Sequence, residues 1–226
     1  MFNWSGTRGE LRFTQEKISS GSFLFSEQLD RVTKLCKLFD EEKTKNIPTN
    51  RVISVVGERG TGKTTFLNVV ENHLEKNSYL VLDRVDPSIF DDSISIMELF
   101  VAQMYSKVTT SDMNNKDVSD FAKINIVKQL SDITQLLVSL RNESVFYQEN
   151  STADIIHDVL GKVNFLDKID YVIRDFLHFM SSSNIQYKNI VLIIDDLDLV
   201  NNKTTYKMLD YLQKYLATNI IIIVGL

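Results

Sequence analysis

Eight consecutive residues have the types and spacing of a phosphate-binding loop. The segment from Gly57 to Thr64 reads Gly-Glu-Arg-Gly-Thr-Gly-Lys-Thr and matches the pattern G-x-x-x-x-G-K-[ST]. Glycine permits backbone angles that turn successive N–H groups towards one point, and a helix that begins there adds its positive end. We therefore expect the phosphates of a nucleotide to be bound by Gly57, Gly60, Thr61, Gly62, Lys63, Thr64 and Thr65.

Three side chains of this segment suit separate tasks. Lys63 supplies a mobile positive charge for the β- and γ-phosphate oxygens and is a predicted catalytic residue. The Thr64 hydroxyl is a hard oxygen ligand suited to Mg2+, and Thr65 is placed to contact the α-phosphate. The alternative is a glycine turn that happens to precede Lys-Thr, but the segment lies between a predicted strand and a predicted helix, as the motif requires. No chemistry is assigned to the side chains at the variable positions Glu58, Arg59 and Thr61.

A second group of polar residues follows a strongly apolar segment. Ile190–Ile194 is apolar at every position and is followed by Asp195-Asp196-Leu197-Asp198. The carboxyl end of such a strand is where ligands bind in open α/β sheets. We expect Asp195 to hold Mg2+ through water, because this ion keeps part of its hydration shell, and Asp196 to face the water that attacks the γ-phosphate. The alternative is an acidic turn that caps the next helix.

Composition restricts the class of protein. The 226 residues are 43% hydrophobic and 24% charged. The net charge of −5 disfavours tight non-specific binding to nucleic acid, but it does not exclude a local basic patch. The single cysteine, Cys36, excludes an internal disulfide and suits a reducing compartment. Neither a membrane-spanning apolar run nor a signal-peptide pattern is found, so the prediction is a cytoplasmic protein with no membrane partner.

Strand and helix patterns alternate along the chain. The predicted strands are 51–56, 79–85, 190–194 and 219–224, and the predicted helices include Ser26 (as N-cap) to Lys43, Lys63–Lys76 and Lys203–Ala217. Strands that are apolar on every residue are buried on both faces, as in parallel sheets covered by helices. The predicted fold class is therefore α/β, with a three-layer parallel-sheet core.

The chain divides into an amino-terminal arm, residues 1–25, and one nucleotide-binding domain, residues 26–226. A helical insert at about residues 88–188 separates the second and third strands. Its apolar stripes, at Val118–Leu140 and Phe165–Met180, are predicted to pack on each other and on the sheet. The alternative is a face that binds a partner or another copy. His73, His157 and His178 lack companions at metal-ligand spacing, and Cys36 is predicted to be a core residue.

The two motifs give the chain a resemblance to the P-loop ATPases of the AAA+ and STAND group, including its KAP-like branch. Gly57–Thr65 resembles the Walker A motif and Ile190–Asp198 the Walker B motif, while Ser26–Phe39 looks like the helix that precedes the first strand in that group. Leu82–Phe90 is similar to the strand-two exit of bacterial defence-type and origin-recognition-like ATPases, which suggests antiviral defence as a context.

The resemblance implies further features. The sheet order would be 5-1-4-3-2, and a catalytic carboxylate, usually Glu, would follow the magnesium Asp. Asp196 occupies that position and is one methylene shorter, which places water activation less well, although STAND and KAP-like proteins often carry Asp there. A GTPase is disfavoured because Asn202-Lys203-Thr204-Thr205 lacks the Asp of the Asn-Lys-x-Asp motif that recognises the guanine base. Asp158–Gly161 resembles the D-x-x-G switch motif of GTPases, but it lies in a helix-like stretch and not after a strand.

The resemblance also shapes the expected function. The chain shows no helical lid and ends at a core strand, so we expect the amino-terminal part of a longer protein, weakly active by itself. The leading hypothesis is Mg-ATP binding and hydrolysis in a homo-oligomer, in which the next subunit supplies an arginine. One alternative is a nucleotide-gated signalling or scaffold module that recruits an effector protein and hydrolyses little. Another is a DNA-handling, initiator-like ATPase.

Overall fold

The computed structural model describes residues 25–45, 50–87, 95–110, 120–146, 152–181, 185–216 and 220–226. These residues form four strands and six α-helices. In chain order they are α1 (Ser26–Thr44), β1 (Val52–Val55), α2 (Lys63–Lys76), β2 (Leu80–Val81), α3 (Ile96–Thr110), α4 (Asp120–Phe146), α5 (Thr152–Met180), β3 (Ile190–Ile194), α6 (Asn202–Tyr211) and β4 (Ile221–Gly225). A 3-10 turn, Leu197–Leu199, follows β3, and a π-helical turn, Leu212–Leu216, extends α6.

All four strands run parallel in the order β1-β4-β3-β2. Val52 of β1 pairs with Ile222 of β4, and Ile193 of β3 pairs with Ile223 of β4. This arrangement confirms the 1-4-3-2 part of the expected order. Parallel pairing places the carboxyl ends of β1, β3 and β4 at one edge of the sheet, where the predicted site residues begin.

The sheet has an apolar layer on each face, so the predicted three-layer fold is confirmed. Alternate residues of β3 pack into the two layers, because successive side chains of a strand point to opposite faces. Val191 and Ile193 pack with α1 and α2, whereas Leu192 and Ile194 pack with the layer formed by α3 to α6. Every residue of β3 and β4 is buried.

Helices α3, α4 and α5 form the predicted insert between β2 and β3. Ile126 and Ile133 of α4 and Ile169 and Phe176 of α5 lie in the same apolar core as the sheet, which confirms the packing interpretation for these positions. The Asp158–Gly161 segment lies within α5, as its helix-like pattern indicated. Within the described residues, no helix is long and apolar enough to cross a bilayer.

The start of α1 differs from the prediction. Ser26 is the first helical residue and Phe25 holds the capping position, with no side-chain capping bond. The Phe25 ring packs on Phe66 of α2, with 5.3 Å between ring centroids, so an aromatic contact rather than a hydroxyl cap fixes the entry of the chain. The remainder of the predicted arm, residues 1–24, lies outside the described residues.

The second strand is shorter than predicted because its pairing with β3 is interrupted by a bulge. Leu82 donates its N–H to the Val191 carbonyl and Val85 donates to the Ile193 carbonyl, at 2.9 Å each. Between these two bonds the chain advances three residues after β2 but only two along β3, so the segment after β2 contains one extra residue. Bulges of this kind redirect a side chain and are common beside functional sites. The residue redirected here is Arg84.

Cys36 offers a chemical test of the core. Its side chain is fully buried, and burial, followed by the charge of Asp40, raises the pKa of the thiol to about 12. The thiolate is the reactive form, so at pH 8 we expect labelling by a thiol reagent to be suppressed by about three orders of magnitude against a free thiol of pKa about 8.5. Mass spectrometry with and without denaturant measures this. Rapid labelling of the native protein would contradict the placement of Cys36.

Candidate functional site

The predicted phosphate loop connects β1 directly to α2. Gly60 and Gly62 have φ values of +84° and +93°, in the left-handed region that favours glycine. Gly62 immediately precedes α2 and accepts a hydrogen bond from the Phe66 N–H at 2.8 Å. A Cβ at Gly57 would lie 2.7 Å from the Thr61 hydroxyl oxygen, so a larger residue there would displace the Thr61 side chain. Thr64 is exposed and Thr65 half-buried at the start of the helix.

Lys63 joins the loop to the acidic turn after β3. Its ammonium donates to the Gly57 carbonyl at 2.8 Å and lies 3.5 Å from Asp198 Oδ2. Only 9% of the Lys63 side chain is exposed. The two predicted halves of the site therefore meet where Lys63 contacts Asp198, the third acid of the motif.

The backbone brings the two halves together at the sheet edge. Gly57 donates its N–H to the Leu226 carbonyl at 3.2 Å, and the Leu226 N–H donates to Val55 at 2.9 Å. Gly225, the last residue of β4, lies against Asp195: a Cβ there would be 3.0 Å from Asp195 Oδ1. The end of β4 therefore lies between the start of the loop and the buried Asp195 carboxylate, and it contacts both.

Asp195 is a buried acid with both oxygens hydrogen-bonded. It is 3% exposed. Its Oδ1 accepts from the Asp196 N–H at 3.0 Å and its Oδ2 from Arg84 Nη1 at 3.4 Å. Its own N–H donates to the Val85 carbonyl at 2.9 Å. These bonds fix the orientation of the carboxylate, which a buried charge requires.

Asp196 has an uncommon backbone conformation, with φ 54° and ψ 30°. Non-glycine residues in this left-handed region are strained, and such strain is concentrated at functional sites. Burial raises the pKa of the Asp196 carboxyl, and the charges of Asp195, Asp86 and Asp198 raise it further, while Lys63 opposes them. The sheet edge is therefore crowded with acids that a cation would stabilise.

The donor set suits magnesium held together with phosphates. The Thr64 hydroxyl and the Asp195 carboxylate are hard oxygen ligands, and Mg2+ is usually bound by one or two protein groups plus phosphates and water. Among the described residues, no group of three or more His, Cys, Asp or Glu could hold a metal ion by itself. The loop, with its glycines and its buried ammonium, supplies the site for the phosphates.

Sequence reasoning assigned no role to three residues at this edge. Arg84 and Gly225 both contact Asp195. The negative charge of Asp86 raises the pKa of Asp196. The available signals were a charged residue and an acid at the exit of an apolar strand, and a glycine at the end of another. Asp198 was part of the acidic motif, and only the fold shows that it contacts Lys63.

A glycine loop between a strand and a helix, a parallel 1-4-3-2 sheet and an acidic turn beside the loop lysine define a P-loop NTPase fold. Residues 33–224 match the family model described as the KAP family P-loop domain, and the chain belongs to this family. It is a nucleotide-binding domain at the level of the family. Comparison with curated proteins returned no match.

Replacing Gly225 tests the packing around Asp195. In Gly225→Ala the new methyl would lie 3.0 Å from Asp195 Oδ1 and 3.3 Å from Leu67 Cδ1. We expect this crowding to lower the free energy of unfolding by about 1–3 kcal/mol, measured by urea denaturation. In an Asp195→Ala background the penalty should shrink, because the closest atom is gone. Equal penalties in both backgrounds would show that the carboxylate is not where the crowding occurs.

Proposed function

We propose that this domain binds Mg-ATP and hydrolyses it. The observation that supports this most is the position of the Lys63 ammonium, between the Gly57 carbonyl and Asp198 Oδ2. A lysine in this position can exchange these two oxygens for phosphate oxygens by rotating its side chain. The same movement would leave Asp198 and its neighbours facing the bound phosphates.

Each residue has a distinct part in this proposal. The backbone N–H groups of the loop and the start of α2 bind the phosphates, and Lys63 holds the β- and γ-phosphate oxygens. Thr64 and Asp195 would hold the magnesium ion, which supplies charge neutralisation at the transferring phosphate. Asp196 orients the attacking water and accepts its proton. Each Asp195 oxygen accepts one hydrogen bond and keeps a second lone pair, so Asp195 can bind magnesium through water without losing a protein partner.

The proposal includes assembly of several copies. Phosphoryl transfer is commonly accelerated by an arginine supplied in trans, which stabilises charge on the transition state. The exposed position of Thr64, at the mouth of the loop, leaves room for a residue from a second copy. In this arrangement, loss of the γ-phosphate would alter the contact between subunits.

Two substitutions separate binding from hydrolysis. Lys63→Ala should weaken nucleotide binding by about 10–100-fold, the value of one or two charge-assisted hydrogen bonds. Asp196→Asn should leave binding within about twofold and lower turnover by about 100-fold or more, since a positioned base contributes that much. Binding is measured with a fluorescent ATP analogue and turnover by phosphate release.

Matched controls come from α1. Lys34 and Asp30 form an exposed ion pair with each other, at 2.6 Å, within α1. Lys34→Ala and Asp30→Asn make the same chemical changes and should leave both measurements unaltered. Unchanged binding in Lys63→Ala would contradict the role of Lys63, and unchanged turnover in Asp196→Asn would contradict the role of Asp196.

A second candidate function is a nucleotide-gated switch that recruits an effector protein. The shorter Asp at position 196, in a strained backbone conformation, favours it because such a carboxylate reaches the attacking water less well. The switch predicts that purified protein retains nucleotide and that mixing with ATP gives one stoichiometric burst. Sustained steady-state turnover, abolished in Asp196→Asn, favours the ATPase instead.

A further inference from the structure

Arg84 contacts three side chains from two parts of the fold. Its Nη1 donates to Asp195 Oδ2 at 3.4 Å, and its Nη2 donates to Glu71 Oε2 at 2.7 Å and to Asn68 Oδ1. Asn68 and Glu71 lie on α2, whereas Asp195 follows β3. One guanidinium therefore connects the helix of the phosphate loop to the buried acid.

The chain reaches this position through the bulge after β2. The extra residue between Leu82 and Val85 interrupts the strand pairing, while Val85 resumes it and accepts the Asp195 N–H. Asp83, the other residue of the bulge, pairs with Lys107 of α3 at 2.8 Å. Asp83 and Arg84 thus contact different layers: Asp83 pairs with α3, and Arg84 contacts α2 and Asp195.

The contact has electrostatic consequences because the partners are largely buried. The exposed fractions of the side chains are 19% for Arg84 and 4% for Asp195. A buried carboxylate without a partner is costly, and the planar fork of arginine can serve two acceptors that a lysine ammonium cannot span in the same geometry. Asn68 is one helical turn beyond Thr64 on α2, so the bridge also fixes the turn that carries the Thr64 hydroxyl.

We propose that Arg84 is a positioning residue that holds Asp195 and the Thr64 end of α2 at the separation that magnesium requires. It acts through Asp195 and touches neither nucleotide nor metal. The inference rests on the proposed Mg-ATP site and assigns to it a residue that links its two protein ligands. Removing Arg84 should therefore affect the metal-dependent part of nucleotide binding and spare the part that depends on the loop alone.

The test measures the affinity for a fluorescent ATP analogue in EDTA and across a magnesium titration. In Arg84→Ala the magnesium concentration for half-maximal effect should rise by about tenfold or more, the usual cost of losing a group that orients a metal ligand. Affinity in EDTA should change by less than about twofold, which is under 0.5 kcal/mol. Arg84→Lys should recover part of the magnesium response.

The controls separate positioning from general damage. Asp83→Asn, in the same bulge, removes the Lys107 ion pair and should leave the magnesium response unchanged. Thermal unfolding of each variant reports folding, and if both Arg84 variants unfold, Glu71→Gln decides, because it weakens the α2 end of the bridge and keeps Arg84. A rise in the magnesium requirement of Glu71→Gln then supports the proposal, and no rise overturns it.

The outcomes also separate this inference from the proposed function. Native protein that binds no ATP analogue with magnesium refutes the proposed site, and the inference with it. Native protein that binds, with folded Arg84 variants showing an unchanged magnesium response, overturns only the role of Arg84. Equal loss of affinity in EDTA and in magnesium assigns Arg84 a structural role and also overturns the inference.

Discussion

The parallel pairing of β1, β4 and β3 is the constraint on which the site depends. It places three strand ends at one edge, so that the loop after β1, the acids after β3 and Gly225 of β4 become neighbours. Lys63 and Asp198 are 135 residues apart in sequence and lie 3.5 Å apart in space. The helices on both faces stabilise the sheet by burying its apolar residues, and the polar chemistry is confined to its edge.

Much of the fold followed from residue patterns. Ile190–Ile194 and Lys63–Lys76 have the predicted bounds, because a fully apolar strand and a helix that begins after a glycine loop carry strong local signals. The second strand was predicted too long because a bulge depends on how two strands pair, which apolar patterning does not reveal. Ser26 was predicted as a cap because a hydroxyl usually serves there, whereas the contact between Phe25 and Phe66 joins distant segments.

The candidate site divides in the same way. The loop residues and the acids after β3 were found by motif, since type and spacing are local properties, and their individual roles stay predictions. Arg84 lies 111 residues before Asp195, and its contacts exist only after three segments meet. Its position at the exit of a strand was only a weak signal, because the sequence does not reveal which residue Arg84 contacts. Side chains that orient other side chains are therefore the part of a site that sequence reasoning finds last.

The most direct test of the central claim is a crystal structure of the protein with Mg2+ and a non-hydrolysable ATP analogue. The account predicts the β- and γ-phosphates within the loop from Gly57 to Thr64, and the Lys63 ammonium on phosphate oxygens instead of the Gly57 carbonyl and Asp198. It also predicts the metal between Thr64 and Asp195. A nucleotide bound elsewhere, or one bound while Lys63 keeps both of its present contacts, would contradict the account.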